Sequence, residues 1–82
     1  MMCSCCGRRK RMFESFEDLG EAGNICVDCS TILYKLSDAC RDKNLNKYKM
    51  FIEEIISKSK TKGSIAFKDW FTDDFLKRNS IK

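Results

Sequence analysis

Two Cys-x2-Cys pairs, Cys3/Cys6 and Cys26/Cys29, stand 19 residues apart in a chain of only 82. A chain this short buries a modest share of its surface, so its apolar core alone is marginal. Small scaffolds of this kind rely on disulfides, a metal or a partner. Compartment decides between the first two. The opening Met1-Met2-Cys3-Ser4-Cys5-Cys6 has no basic segment leading into an apolar one, so it does not read as a secretion signal. No apolar run approaches the roughly 18 residues of a membrane span. The expected location is cytoplasmic, where thiols stay reduced and paired cysteines read as metal ligands.

The spacing falls inside the zinc pattern of two Cys-x2-Cys pairs about 15–20 residues apart. Two residues between cysteines in a tight turn put both sulfurs on one side. Two such pairs complete a tetrahedron around Zn²⁺ at Zn–S distances of about 2.3 Å. Gly7, directly after Cys6, lets the turn reverse without a Cβ clash. Cys29 would open a helix, whose N-terminal dipole favours thiolate charge. Iron–sulfur ligation uses the same donors. A thioredoxin-like redox role expects one such pair near a βαβ pattern, which is absent here. Cys5 adjoins Cys6 and is an alternative ligand. Cys40 lies about 16 Å up the helix from Cys29 and reads as a small core residue.

Along the chain, residues 9–16 read as a strand and 18–24, with Gly20 and Gly23, as a turn-rich connection. Residues 29–43 read as an amphipathic helix, with Cys29, Ile32, Leu33, Leu36 and Cys40 recurring every three or four positions. Asn44 is the expected stop. Residues 46–79 read as a helical extension. Tyr48, Phe51, Ile52, Ile55 and Ile56 form one apolar face, 57–64 is a polar break, and Phe67, Trp70, Phe71 and Phe75 form a second stripe. Ser64 is the expected N-cap of the last helix. Thr72-Asp73-Asp74 reads as a further cap that splits that helix in two.

Cys3-Ser4-Cys5-Cys6-Gly7, then Ile25-Cys26-Val27-Asp28-Cys29 and an apolar helix, resembles the treble-clef zinc-binding domain at the N-terminus of the ClpX unfoldase subunit. It is similar also to small bacterial and phage treble-clef domains. The resemblance covers about residues 3–40. It implies zinc on Cys3, Cys6, Cys26 and Cys29, and a dimerising or partner-recruiting module rather than a catalyst. The chain departs from that pattern in lacking an ATPase domain and a Walker A motif, and in carrying a helical tail instead. The expected fold is a small, zinc-stabilised α+β domain. Residues 1–43 would form a treble-clef-like finger of knuckle, β-hairpin and helix. Residues 44–82 would form an extension of two to three helices packed on it as one unit.

Nothing in the residues points to catalysis. There is no histidine, which removes the commonest general base and the usual partner of a nucleophilic cysteine. Four thiolates close a zinc site against water. No small-molecule substrate is expected. Charge is uneven, with −1 over residues 1–40 and +5 over 41–82. Four thiolates and one dication would lower the total from +4 to +2, too little for a polyelectrolyte binder on charge alone. Arg8, Arg9, Lys10 and Arg11 form the one dense basic run, a candidate contact for nucleic-acid phosphates or an acidic partner, helped by Lys58, Lys60 and Lys62 if they share its side. The same cations would also sit well beside a zinc–thiolate group of charge −2. Lys35 is the only basic residue of 30–39, which argues against a base-reading helix. Phe67, Trp70, Phe71 and Phe75 read either as core or as a protein interface or homodimer seam. The expectation is a zinc-binding protein–protein interaction module, a small regulator, adaptor or inhibitor of a larger bacterial or phage-related assembly. The alternative is a nucleic-acid-binding zinc protein that uses the basic run. No membrane partner is expected.

Overall fold

The computed structural model describes residues 1–81. The chain opens in a knuckle. Gly7 (φ +76°) reverses it, and an isolated antiparallel bridge between Met2 and Arg9 closes it. Strands β1 (Glu17–Asp18) and β2 (Asn24–Ile25) pair antiparallel, with Glu17 opposite Ile25 and Asp18 opposite Asn24. A 3-10 turn, Gly20–Ala22, joins them. Asp18 Oδ1 accepts from the Gly20 N–H at 2.8 Å, a side-chain turn of the kind aspartate favours.

The strand expected over residues 9–16 does not form. Only Arg9 enters a bridge, and the strands lie farther along. The cause is a turn at Arg11, where the Glu14 N–H donates to the Arg11 carbonyl at 3.2 Å. The Glu14 carboxylate then bonds back to Arg8 and to the Arg11 N–H. These bonds hold the segment as a loop.

Helix α1 (Val27–Arg41) starts two residues before the position expected, because Cys26 takes the extended cap conformation (φ −72°, ψ 165°). Its buried stripe is Cys29, Ile32, Leu33, Leu36 and Ala39, with Cys40 half-buried. The helix ends where Lys43 turns left-handed (φ +56°) and the Asn44 N–H bonds to the Ala39 carbonyl at 2.9 Å. Asn44 is both stop and start: its side chain accepts from the Lys47 N–H at 3.2 Å and caps α2 (Leu45–Ser59). This short connection folds α2 back along α1. Tyr48, Phe51, Ile52 and Ile55 meet the core. Ile56, expected on the same face, is about half exposed.

Helix α3 begins as Ile65–Trp70 behind the Ser64 cap, which accepts from the Phe67 N–H at 3.0 Å. It continues through a π-helical turn, Phe71–Phe75, and ends as Leu76–Arg78. The expected break at Thr72 is absent. The Thr72 hydroxyl bonds back to the Lys68 and Asp69 carbonyls and caps nothing, and the helix widens instead of stopping. Asn79 ties the end down. Its backbone carbonyl accepts from the Tyr48 hydroxyl at 2.5 Å and its side chain from Ser37 at 2.9 Å.

One continuous core runs from Cys3, Cys5, Cys26 and Cys29 through Ile25, Leu33, Leu36 and Ile55 to Phe67, Phe71 and Phe75. No helix among the described residues is long and apolar enough to cross a membrane.

Candidate metal centre

The knuckle is built by backbone bonds. Cys3 N–H donates to Arg8 O at 2.8 Å, and Gly7 N–H to Cys3 O at 2.9 Å. This turn points the Cys3 and Cys6 thiols the same way. Ser4 fixes it from two sides. Its N–H donates to Asn24 O of β2 at 2.8 Å, and its carbonyl accepts from the Ser64 N–H of the α2–α3 loop at 2.8 Å. The fit is close. A Cβ on Gly63 would lie 2.5 Å from the Ser59 carbonyl and 2.9 Å from that of Cys5, and one on Gly23 would strike the Ser4 side chain. The helical extension therefore packs directly on the knuckle. Nothing in the sequence periodicity signals this clamp, because it joins the knuckle, a two-residue strand and the α2–α3 loop.

The second pair sits at the start of α1, with Cys26 at the N-cap and Cys29 in the first turn. The Sγ atoms of Cys3, Cys6, Cys26 and Cys29 all lie within 4.8 Å of one another. Cys3 to Cys29 and Cys6 to Cys26 both measure 3.7 Å. A disulfide needs about 2 Å. A tetrahedral site with Zn–S of about 2.3 Å needs sulfurs about 3.8 Å apart. Both measured pairs match that separation, and the four sulfurs together could hold one metal ion. Cys3, Cys26 and Cys29 are buried and Cys6 is half-buried. Cys5 is fully buried against Cys29 but does not belong to the converging set, and Cys40 lies outside it.

Electrostatics favour a cation here. Burial pushes the Cys3 thiol up, but N–H groups of Cys6, Cys26 and Cys5 outweigh it and bring the thiol down to about 7. The Cys6 and Cys26 N–H groups stand 3.4 and 3.3 Å from its sulfur. Burial also pushes the Cys6 thiol up. The Cys29 thiol is raised by its contact with Cys5, by burial and by neighbouring sulfurs that repel a second negative charge. Four thiols this close cannot all ionise without a positive ion between them. A bound dication reverses that balance.

Of the basic run, Arg8 is spent locally. It forks onto Glu14 at 3.0 and 2.6 Å, stands 5.7 Å over the Phe16 ring and faces the Cys26 sulfur. Its guanidinium holds the Glu14 carboxyl down at about 2. Arg9, Lys10 and Arg11 are exposed, and the Lys62 stem lies where a Cβ on Gly7 would be. The sequence does not reveal the Arg8–Glu14 brace, since a separation of six fits neither helix nor strand spacing.

Of the aromatic stripe, Phe67, Phe71 and Phe75 are core residues at 0%, 2% and 8% exposure. Phe71 stacks on both Phe67 and Phe75, with ring centroids 6.2 and 5.6 Å away. Only Trp70 is half-buried, at the rim of an open cleft of about 420 Å³ that Leu33 and Tyr34 also line. Phe13 is 98% exposed, because the turn at Arg11 swings it outward.

Among the described residues, fold and site define a small domain with a two-stranded hairpin, three helices and four converging cysteines that could hold a metal ion. Compared with known protein families, curated proteins and solved structures, the chain matches none.

Proposed function

We propose that the chain is a zinc-stapled interaction module with a treble-clef-like finger, similar in plan to the ClpX zinc-binding domain, and that it is not an enzyme. The observation that carries this reading is the set of four sulfurs within 4.8 Å of one another, beneath a core to which the helices all contribute. Cys3, Cys6, Cys26 and Cys29 would hold Zn²⁺ as four thiolates, which leaves no coordination position for a reacting water. A knuckle, a hairpin and a helix supplying the ligands is the treble-clef order. Residues 1–43 would be the finger and 44–82 its helical brace. In this role the metal supplies folding energy, and the surface it stabilises does the work.

The first partner class is protein, with this chain as a small regulator or adaptor in the cytoplasm. Trp70 and Tyr34 at the rim of the 420 Å³ cleft support it, as aromatic side chains tend to carry binding energy at interfaces. A second reading, nucleic-acid binding, is supported by the exposure of Arg9, Lys10 and Arg11 where the chain leaves the knuckle, with Lys62 packed on Gly7 inside it. Affinity capture from bacterial lysate, with and without nuclease, separates the two. A partner retained after nuclease and lost in Trp70→Ala supports the first. Recovery of oligonucleotide alone supports the second.

A further inference from the structure

Residues 11–14 form a turn with Met12 and Phe13 at its centre, exposed by 83% and 98%. Phe13 has φ +68°, a left-handed conformation that bulky side chains rarely adopt. It persists because the turn is braced. Glu14 bonds to the Arg11 N–H at 3.0 Å and to Arg8 through both carboxylate oxygens. On the other side Lys10 N–H bonds to Met1 O, and Arg9 bridges to Met2. Strain of this kind, held in place by surrounding bonds, is a feature of ligand contacts. The fold displays a bare aromatic face and gains no core packing from it.

Three exposed cations, Arg9, Lys10 and Arg11, stand two to four residues before Phe13, and the carboxylate that follows it, Glu14, is already paired. We propose that this turn is a contact site for single-stranded nucleic acid: Phe13 stacks on a base while Arg9, Lys10 and Arg11 meet the adjoining phosphates. The proposal rests on the nucleic-acid reading above and names its ligand. A single strand offers π faces and anions in alternation, which is what this turn is built to receive. A duplex hides its base faces. A lipid surface fits less well, because the apolar tip is two residues long. Arg11 and Glu14 would be drawn toward the hydrocarbon with it.

The test is fluorescence anisotropy of labelled oligo(dT), oligo(U) and a short duplex with the zinc-loaded full chain. Both single strands are expected to bind more tightly than the duplex. For three phosphate contacts the log–log salt slope on single strands should be about −2. Phe13→Gly should weaken binding about tenfold or more, the loss of one stacked base. The melting temperature should hold or rise in that variant, since glycine accepts the left-handed turn. Phe13→Trp should keep binding and show fluorescence quenching by the stacked base. Preference for oligo(dT) or oligo(U) identifies DNA or RNA as the source, and either supports the site. If wild type binds neither strand, this proposal and the nucleic-acid reading both fall. If it binds and Phe13→Gly binds equally, only the proposal falls. Binding to phosphatidylserine vesicles with a blue shift of Phe13→Trp and no oligonucleotide binding would overturn it in favour of a membrane. Equal competition by polyglutamate would overturn it in favour of an acidic protein.

Discussion

Gly63→Ala tests whether the helical extension holds the metal site in shape. Gly63 is sixty residues from Cys3, yet its neighbour Ser64 donates to Ser4 inside the knuckle at 2.8 Å. An added Cβ would lie 2.5 Å from the Ser59 carbonyl, 2.7 Å from the Ser59 Cβ and 2.9 Å from the Cys5 carbonyl. Two of these three are backbone atoms that cannot swing aside as a side-chain tip can. Overpacking of this kind costs about 1–3 kcal/mol. Loss of the Ser64–Ser4 bond adds about 1 kcal/mol, for a total of about 2–4 kcal/mol. Metal binding and folding are coupled in sites of this kind. Because 1.4 kcal/mol is tenfold, apparent zinc affinity should fall by about 30- to 1,000-fold. Urea unfolding and competition with a colorimetric zinc chelator measure the two effects. Gly20→Ala is the control. Gly20 is left-handed (φ +69°) but has no atom within 4 Å of the added carbon, so it should cost about 1 kcal/mol from backbone strain and leave the knuckle undisturbed. If Gly63→Ala unfolds and releases zinc like wild type, or if Gly20→Ala releases it faster, the clamp does not exist.

Other expectations follow from burial and charge. Replacing any of Cys3, Cys6, Cys26 or Cys29 by Ser should lose the metal, while Cys40→Ser should keep it. Cys5→Ser should also keep it but destabilise by about 1–3 kcal/mol, because a hydroxyl replaces a fully buried thiol; elemental analysis and melting curves check all six. Phe67→Ala should cost about 3–5 kcal/mol in urea unfolding, since its ring is fully buried and stacks on Phe71. Glu14→Gln should be less stable than wild type at neutral pH. The Glu14 pKa is depressed in the fold from 4.5 to about 2, so the contribution is complete above 4.5 and lost as pH falls toward 2. The gap between the two proteins in thermal unfolding should therefore close over that range; a gap that widens there would contradict the pairing with Arg8.

The convergence of the four cysteines was legible because its information is local: two residues between cysteines fix a turn, and the 19-residue separation fits a known zinc spacing. The three helices were legible from the period of Ile32, Leu33 and Leu36, of Tyr48, Phe51, Ile52 and Ile55, and from the Ser64 cap. The hairpin was misplaced because its strands are two residues each. Strands so short carry no alternation, and contacts from Ser4 and the Asp18 turn position them instead. Residues 9–16 mimicked a strand because Arg8 and Glu14 must meet in space before the loop declares itself. Thr72-Asp73-Asp74 mimicked a cap because its residue types suit one, but Phe71 and Phe75 on either side both enter the core and keep the helix going. The aromatic stripe was ambiguous between core and interface for a related reason. Periodicity shows that a face is apolar and does not show what covers it.

The most direct test of the central claim is the metal content of the purified chain, measured by elemental analysis at neutral pH alongside circular dichroism. The account predicts one zinc per chain, with loss of helical signal when a strong chelator removes it. A metal-free protein with the same helical signal and the same melting temperature would contradict it, for the four converging thiols would then be ordinary core residues.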